Sequence, residues 1–217
     1  MLFGRSLSEY LIIIPAVLIA IMVHEVSHGF AAYLMGDDTA KEQGRLNFNP
    51  INHIDPVGFL CMIIAGFGWA KPVPVNLANM KNRKTGMVVT AIAGPLSNFI
   101  LAFLCFLIVI IGNTVGILAN NTIFESFSEF MIILANMSIG LGVFNLIPIP
   151  PLDGSNIIFP FLPNKAKKFV YEYGQYIQFA LLALLMFDML DGVLMAMRGF
   201  VFDIILNAVI FVVELFM

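Results

Sequence analysis

The sequence predicts an all-α polytopic membrane protein, and three observations predict it. Of the 217 residues, 60% are hydrophobic and only 12% are charged, against about 25% charged in a typical soluble domain. The mean hydropathy is +0.94. A chain of this size folded in water needs polar residues over most of its surface, and here lipid takes the place of that water. The third observation is that the apolar residues fall into runs close to the ~20 residues a bilayer-spanning helix requires.

The first run, Leu11–Met35, has polar residues inside it and no cleavage site of the kind that ends a signal peptide. It is expected to be retained as a helix. Further spans are expected at Met87–Ile111, Phe127–Ile147, Tyr176–Met197 and Phe200–Met217, the last short enough to be tilted or interfacial. Val57–Ala70 offers only about 14 residues, which suits a re-entrant or interfacial segment better than a span. The stretch from Gly36 to Val75 mixes charges (Asp37, Asp38, Lys41, Glu42, Arg45, Asp55) with the turn formers Asn47-Phe48-Asn49-Pro50 and Pro72-Val73-Pro74. It predicts irregular and β-containing backbone, which survives at membrane depth only where protein or a water-filled cavity satisfies its polar groups. With no repeat, linker or appended soluble domain, one domain is expected over 1–217. Its core covers about 10–157 and its peripheral helices about 174–217.

Charge gives orientation and excludes one partner class. Lys71, Lys81, Arg83 and Lys84 precede the Met87 helix, and Lys165, Lys167 and Lys168 follow the helix ending near Ile147, whereas Gly112–Ser126 carries no Lys or Arg. By the positive-inside rule the two basic loops are cytoplasmic. The net charge of −3 leaves no basic footprint for nucleic acid. Cys61 and Cys105 sit in apolar runs and read as small hydrophobes, not as a disulfide framework.

Only three histidines are present, and two of them form His24-Glu25-Val26-Ser27-His28 inside the first apolar run. Helix positions four apart share a face, so His24 and His28 can bind one metal ion. Glu25 follows at about 100°, within reach of a water beside that ion. This is the H-E-x-x-H pattern, in which the glutamate is the general base. Ionisable groups within a membrane helix cost roughly 2.5–3.5 kcal/mol on insertion scales, which argues for function. A catalytic zinc needs a third protein ligand and an open position. The candidates are His53 or a carboxylate, foremost Asp153 in Asn145-Leu146-Ile147-Pro148-Ile149-Pro150-Pro151-Leu152-Asp153-Gly154. The prolines break the preceding helix and free its last carbonyls. Asp153 reads equally as a ligand carried inward and as a turn aspartate beside a glycine.

These residues carry a resemblance. H-E-x-x-H on one membrane helix and N-x-x-P-x-P-x-L-D-G on another resemble the site-2 protease family of intramembrane zinc metalloproteases, and Ala93-Gly94-Pro95-Leu96-Ser97-Asn98 looks like its G-P-x-x-N segment. Asn49–Pro56 and Gly68–Asn76 resemble a compact bacterial subgroup. The resemblance implies a three-helix catalytic core with peripheral helices and one zinc ion per chain, held by His24, His28 and Asp153, with Glu25 activating water. It implies membrane-spanning protein substrates cleaved after local unwinding, and a substrate or oxyanion contact for Asn145. The expected setting is a bacterial cell membrane, with the site opening to the cytoplasm. Neither an inserted PDZ domain nor a C-terminal CBS domain is expected within this length. The rival class is a metal-binding membrane protein such as a transporter, against which no internal symmetry is visible.

Topology ties the motifs together. If Phe127–Ile147 runs inward, Asp153 lies at the cytoplasmic end, and the ligands meet only if the first helix also ends there. Val57–Ala70 then starts and returns on one side. His53 with Asp55 reads as a pair behind a zinc histidine, as a substrate contact, or as a polar turn before Pro56. Asn98 reads as lining the site or as packing, and Gly94 and Ser97 as sites of close helix approach. Trp69 and Lys71 read as interfacial anchors. Asp188, Asp191 and Asp203 are expected near helix ends.

Overall fold

The computed structural model describes residues 7–65, 70–114 and 122–216. The helices are α1 (Leu7–Leu34), α2 (Thr39–Glu42), α3 (Pro50–His53), α4 (Pro56–Ala65), α5 (Arg83–Thr114), α6 (Thr122–Asn145), α7 (Asp153–Ile158), α8 (Asn164–Met186) and α9 (Asp191–Phe216). Among the described residues there is no strand. Within the described residues four helices are long and apolar enough to cross a membrane: α1 from Leu11, α5, α6 from Ile123, and α9.

The bundle core lies where α1, α5, α6 and α9 meet. Ala16, Ala20, Ala102 and Ala135 have at most 1% exposure. Small residues let backbones approach, and helices in lipid associate through such packing because apolar burial alone favours lipid as much as protein. Larger residues close the remaining gaps, with Ile139, Val143 and Val209 buried and Phe106 edge-on to Phe202. The outer face of α5 repeats exposed Leu96, Ile100, Leu104, Ile108 and Ile111 at helical spacing, the side a span turns to lipid.

Three expected spans agree with α1, α5 and α6 within a few residues. The last two do not. The expected break near Met197–Phe200 is absent, and the chain turns instead between Met186 and Asp191, where Asp188 has φ of 55°. A short carboxylate side chain tolerates that left-handed region, and Asp191 in the first turn of α9 suits the positive end of the helix dipole. Arg198-Gly199 lies inside α9 and does not interrupt it. Asp203 therefore sits within α9, not near its end, and α8, carrying Lys165, Lys167, Lys168 and Glu172, is not among the spans.

The excursion between α1 and α5 is more helical than expected. Gly36, at φ 102°, ends α1, with Gly36 N–H bonded to Tyr33 O and Asp37 N–H to Ala32 O. Three short helices follow. The only β pairing among the described residues is an antiparallel bridge between Ile54 and Ala70, joined by Lys71 N–H to His53 O at 2.9 Å. The two ends of the α4 segment are thus bonded side by side, and α4 has 10 residues, about half the length of a span. The segment leaves and returns at one place, as its length predicts. Trp69 lies outside the described residues.

Candidate metal centre

Three donors reach one point from distant parts of the chain. His24 and His28 project from one face of α1, with ring centroids 4.6 Å apart. Asp153 opens α7 beyond the proline-broken end of α6. Gly154 makes that return possible, because a Cβ there would lie 2.2 Å from Leu146 O. Asp153 Oδ2 stands 3.0 Å from His24 Nε2 and 3.2 Å from His28 Nε2, and all three ligand atoms lie within 4.8 Å of one another.

Hydrogen bonds behind the rings shape the chemistry. His28 Nδ1–H donates to Thr90 O at 2.7 Å, so neutral His28 presents the Nε2 lone pair to Asp153. Two acceptors at such distances repel unless a cation sits between them. A proton can fill that part. Burial pushes the Asp153 carboxyl up, yet hydrogen bonds from His24 and His28 outweigh it and lower its pKa to about 2. A divalent ion satisfies all three acceptors together. Zinc is held by such nitrogen and oxygen ligands at ~2.0–2.2 Å, and the close approach of the three ligand atoms fits them to share one ion. Two imidazoles and a carboxylate, with a fourth position open, are a catalytic zinc donor set.

α5 completes the surroundings. Asn98 is fully buried, with its amide 3.3 Å from His24 Nδ1 and its Oδ1 without a partner. A Cβ on Gly94 would fall 2.5 Å from His28 Nε2 and 2.7 Å from His24 Cε1, so glycine there makes room for the rings.

Glu25 faces the same cavity, of about 480 Å³, which the three donors also line. Its Oε2 accepts the Val73 N–H at 2.9 Å. In Pro72-Val73-Pro74 the prolines have no N–H, so Val73 supplies the one donor. Its side chain is buried over Gly29, where a Cβ would meet Val73 Cγ1 at 2.7 Å. Downstream, fully buried Asp37 anchors the segment, accepting Asn76 N–H at 2.6 Å and Asn79 Nδ2–H at 3.0 Å, together with the Thr39 hydroxyl. Burial pushes the Asp37 carboxyl up, but the hydrogen bonds from Thr39, Asn76 and Asn79 prevail and lower it.

The other expected residues divide. Asn145 lines the cavity while its Nδ2 donates to Leu141 O at 3.0 Å. His53 does not line the cavity; its Nε2 bonds the Asn47 carbonyl at 2.7 Å, within the excursion. Asp55 accepts the Val57 and Gly58 N–H groups, which makes it the turn before Pro56. Sequence reading missed Val73, whose contribution is a main-chain N–H, and Asn156, which also lines the cavity.

Comparison with known proteins decides the family. A provisionally named zinc metalloprotease of Bacillus subtilis, YwhC, is 41% identical over 161 residues, covering 74% of this chain and 73% of that protein. The family model for peptidase family M50 matches residues 109–187. The chain belongs to peptidase family M50. Provisionally named zinc metalloproteases Rip2 of Mycolicibacterium smegmatis and Mycobacterium tuberculosis are 29% and 25% identical over 166 and 205 residues; these alignments cover 73% and 90% of this chain, and 60% and 74% of the relatives. No solved structure matches the chain. The M50 match includes Asp153 but not His24–His28, so the approach of the two motifs in space is a separate observation. This M50 chain is an integral membrane zinc metalloprotease.

Proposed function

We propose that the chain cleaves peptide bonds in or near the transmembrane segments of membrane-protein substrates, with zinc held by His24, His28 and Asp153. The observation that carries this reading is the convergence of three acceptor atoms, with Glu25 beside them, in a cavity walled by membrane-spanning helices. A bound zinc supplies Lewis-acid polarisation of the scissile carbonyl and lowers the pKa of water toward ~7.

The protein's own groups do the rest. Thr90 O fixes the His28 tautomer that leaves Nε2 for the metal. Asn98 serves His24 in the same way once its amide turns Oδ1 toward Nδ1–H, which also gives the orphaned Oδ1 a partner. Glu25 accepts the proton of the attacking water and passes it to the leaving amine. Val73 N–H holds the Glu25 carboxylate in the cavity between turnovers. Asn145, at the cavity wall, donates to substrate or to the developing oxyanion after leaving Leu141 O. The basic loops support an opening on the cytoplasmic face of a bacterial cell membrane.

The test is co-reconstitution in liposomes with single-span model proteins, one carrying a Gly-Pro break within its span and one continuous, beside a soluble unfolded protein. Mass spectrometry of the products should locate cuts within or beside the broken span, absent with Glu25→Gln. Cleavage of the soluble protein alone sinks the intramembrane reading, and zinc transport into the vesicles without any cleavage favours the transporter class.

A further inference from the structure

A second cleft, of about 320 Å³, adjoins the catalytic cavity and shares Leu77 and Met87 with it. Its chemistry is opposite. Arg83 and Lys84 at the start of α5 and Lys167 in the first turns of α8 line it, along with Phe159 and Pro160, and none of its described lining residues is acidic. Two basic stretches far apart in sequence are therefore folded onto one small concavity, in a chain whose net charge is −3.

Lys167 is held in place. Its Nζ donates to Pro160 O at 3.1 Å and stands 5.8 Å from the centre of the Phe159 ring, leaving ammonium protons for a ligand. Arg83 and Lys84 are exposed, so their charge is available without a desolvation cost. Along α5, Arg83 precedes Thr90, the carbonyl partner of His28, by seven residues, or about 10 Å at 1.5 Å per residue. An extended peptide covers that distance in about three residues. A substrate seated with its scissile bond at the metal centre thus reaches the cleft with side chains roughly three to five residues away.

We propose that this cleft binds acidic side chains flanking the cleavage site, making Arg83, Lys84 and Lys167 specificity-determining residues. The inference rests on the proposed seating of a peptide in the catalytic cavity. The border the two spaces share at Leu77 and Met87 favours one polypeptide reaching both over a lipid headgroup seated in the cleft alone.

The test uses the Glu25→Gln chain in neutral phosphatidylcholine nanodiscs, so binding is read without turnover. The probes are fluorescent peptides with a Leu/Ala/Gly segment followed by either three glutamates or three glutamines. The glutamate probe should bind about tenfold tighter, a modest return from three partly exposed charge pairs. That preference should vanish in Arg83→Gln/Lys84→Gln/Lys167→Gln while the glutamine probe binds as before, and should survive in Arg83→Lys/Lys84→Arg/Lys167→Arg. Zinc content of one per chain in each variant keeps misfolding out of the comparison.

Equal binding of the two probes overturns the proposal, as does a glutamate preference that outlasts the loss of all three cations. Adding phosphatidylglycerol to the nanodiscs separates the sources. If it displaces the glutamate probe, and only while the cations are present, the cleft is a lipid site and the proposal fails. None of these readouts depends on cleavage, so failure of the protease reading shows separately, in the liposome assay.

Discussion

The helical core and the polar excursion between α1 and α5 meet at one cavity, yet opposite means hold them in place. α1, α5 and α6 pack through buried alanines and branched apolar side chains. Among its described residues the excursion buries few apolar side chains (Ala40, Val73 and Met80), and it is pinned by hydrogen bonds to Asp37 and by Arg45 on the Lys71 and Pro72 carbonyls. Each region delivers a different part of the chemistry. The core and the α6–α7 turn bring the three metal donors, whereas the excursion brings the Val73 N–H that holds Glu25 and part of the cavity wall. Metal binding and placement of the base should therefore be separable by mutation.

The largest effects should come from the donors. Either His24→Ala or Asp153→Ala leaves two ligands, and zinc measured by elemental analysis should fall from one per chain to none, with cleavage lost. Zinc retained in Asp153→Ala would break the comparison, because the return of α7 to α1 would then carry no ligand. Glu25→Gln comes next. It sits on the core helix but binds no metal, so zinc should stay while cleavage falls by roughly 10²–10⁴-fold, the usual contribution of a general base.

Val73→Pro tests the excursion alone. It removes the N–H on Glu25 without touching a metal donor, and a misplaced catalytic group costs about 10²-fold. Cleavage should fall by about that factor with zinc unchanged. Val73→Ala keeps the N–H and should stay near the parent rate. Zinc lost in the proline variant would show that the two regions are not independent.

The same contrast explains what was legible in the sequence. α1, α5 and α6 were readable because lipid imposes a length and an apolar character that few other settings do. His24, Glu25 and His28 were readable because helical spacing alone puts them together. Asp153 stood open between ligand and turn, since its inward path depends on Gly154 passing two carbonyls, a matter of packing. The excursion resisted reading for a further reason. Its anchors are Asp37, one acid among several in a polar stretch, and a main-chain N–H that no side chain advertises. At the other end, Arg198-Gly199 drew the last helix break to the wrong place. In apolar surroundings a helix runs on through such a pair, because interrupting it would leave main-chain groups without partners.

The smallest effect is expected from Asp37→Asn, and it sharpens the comparison most finely. The amide keeps the shape of the carboxylate but places an NH₂ group where an oxygen accepts from Asn76 or Asn79, leaving a buried donor unpaired at a cost of roughly 1–3 kcal/mol. The strain falls on the excursion, so zinc should be unchanged and cleavage reduced several-fold, through kcat more than KM. Acid should reproduce it in the parent. The hydrogen bonds hold the Asp37 carboxyl below its ordinary value, about 3.9. Their contribution is thus complete above that pH and fades as pH falls through the folded-state pKa. Amide hydrogen exchange over 70–80, corrected for the intrinsic pH dependence, should stay slow in the parent down to the ordinary carboxylate range and quicken below it. In Asp37→Asn it should already be quick at neutral pH and show no such step. A step that persists in the variant would assign the acid sensitivity to another carboxylate and leave Asp37 as one contact among many.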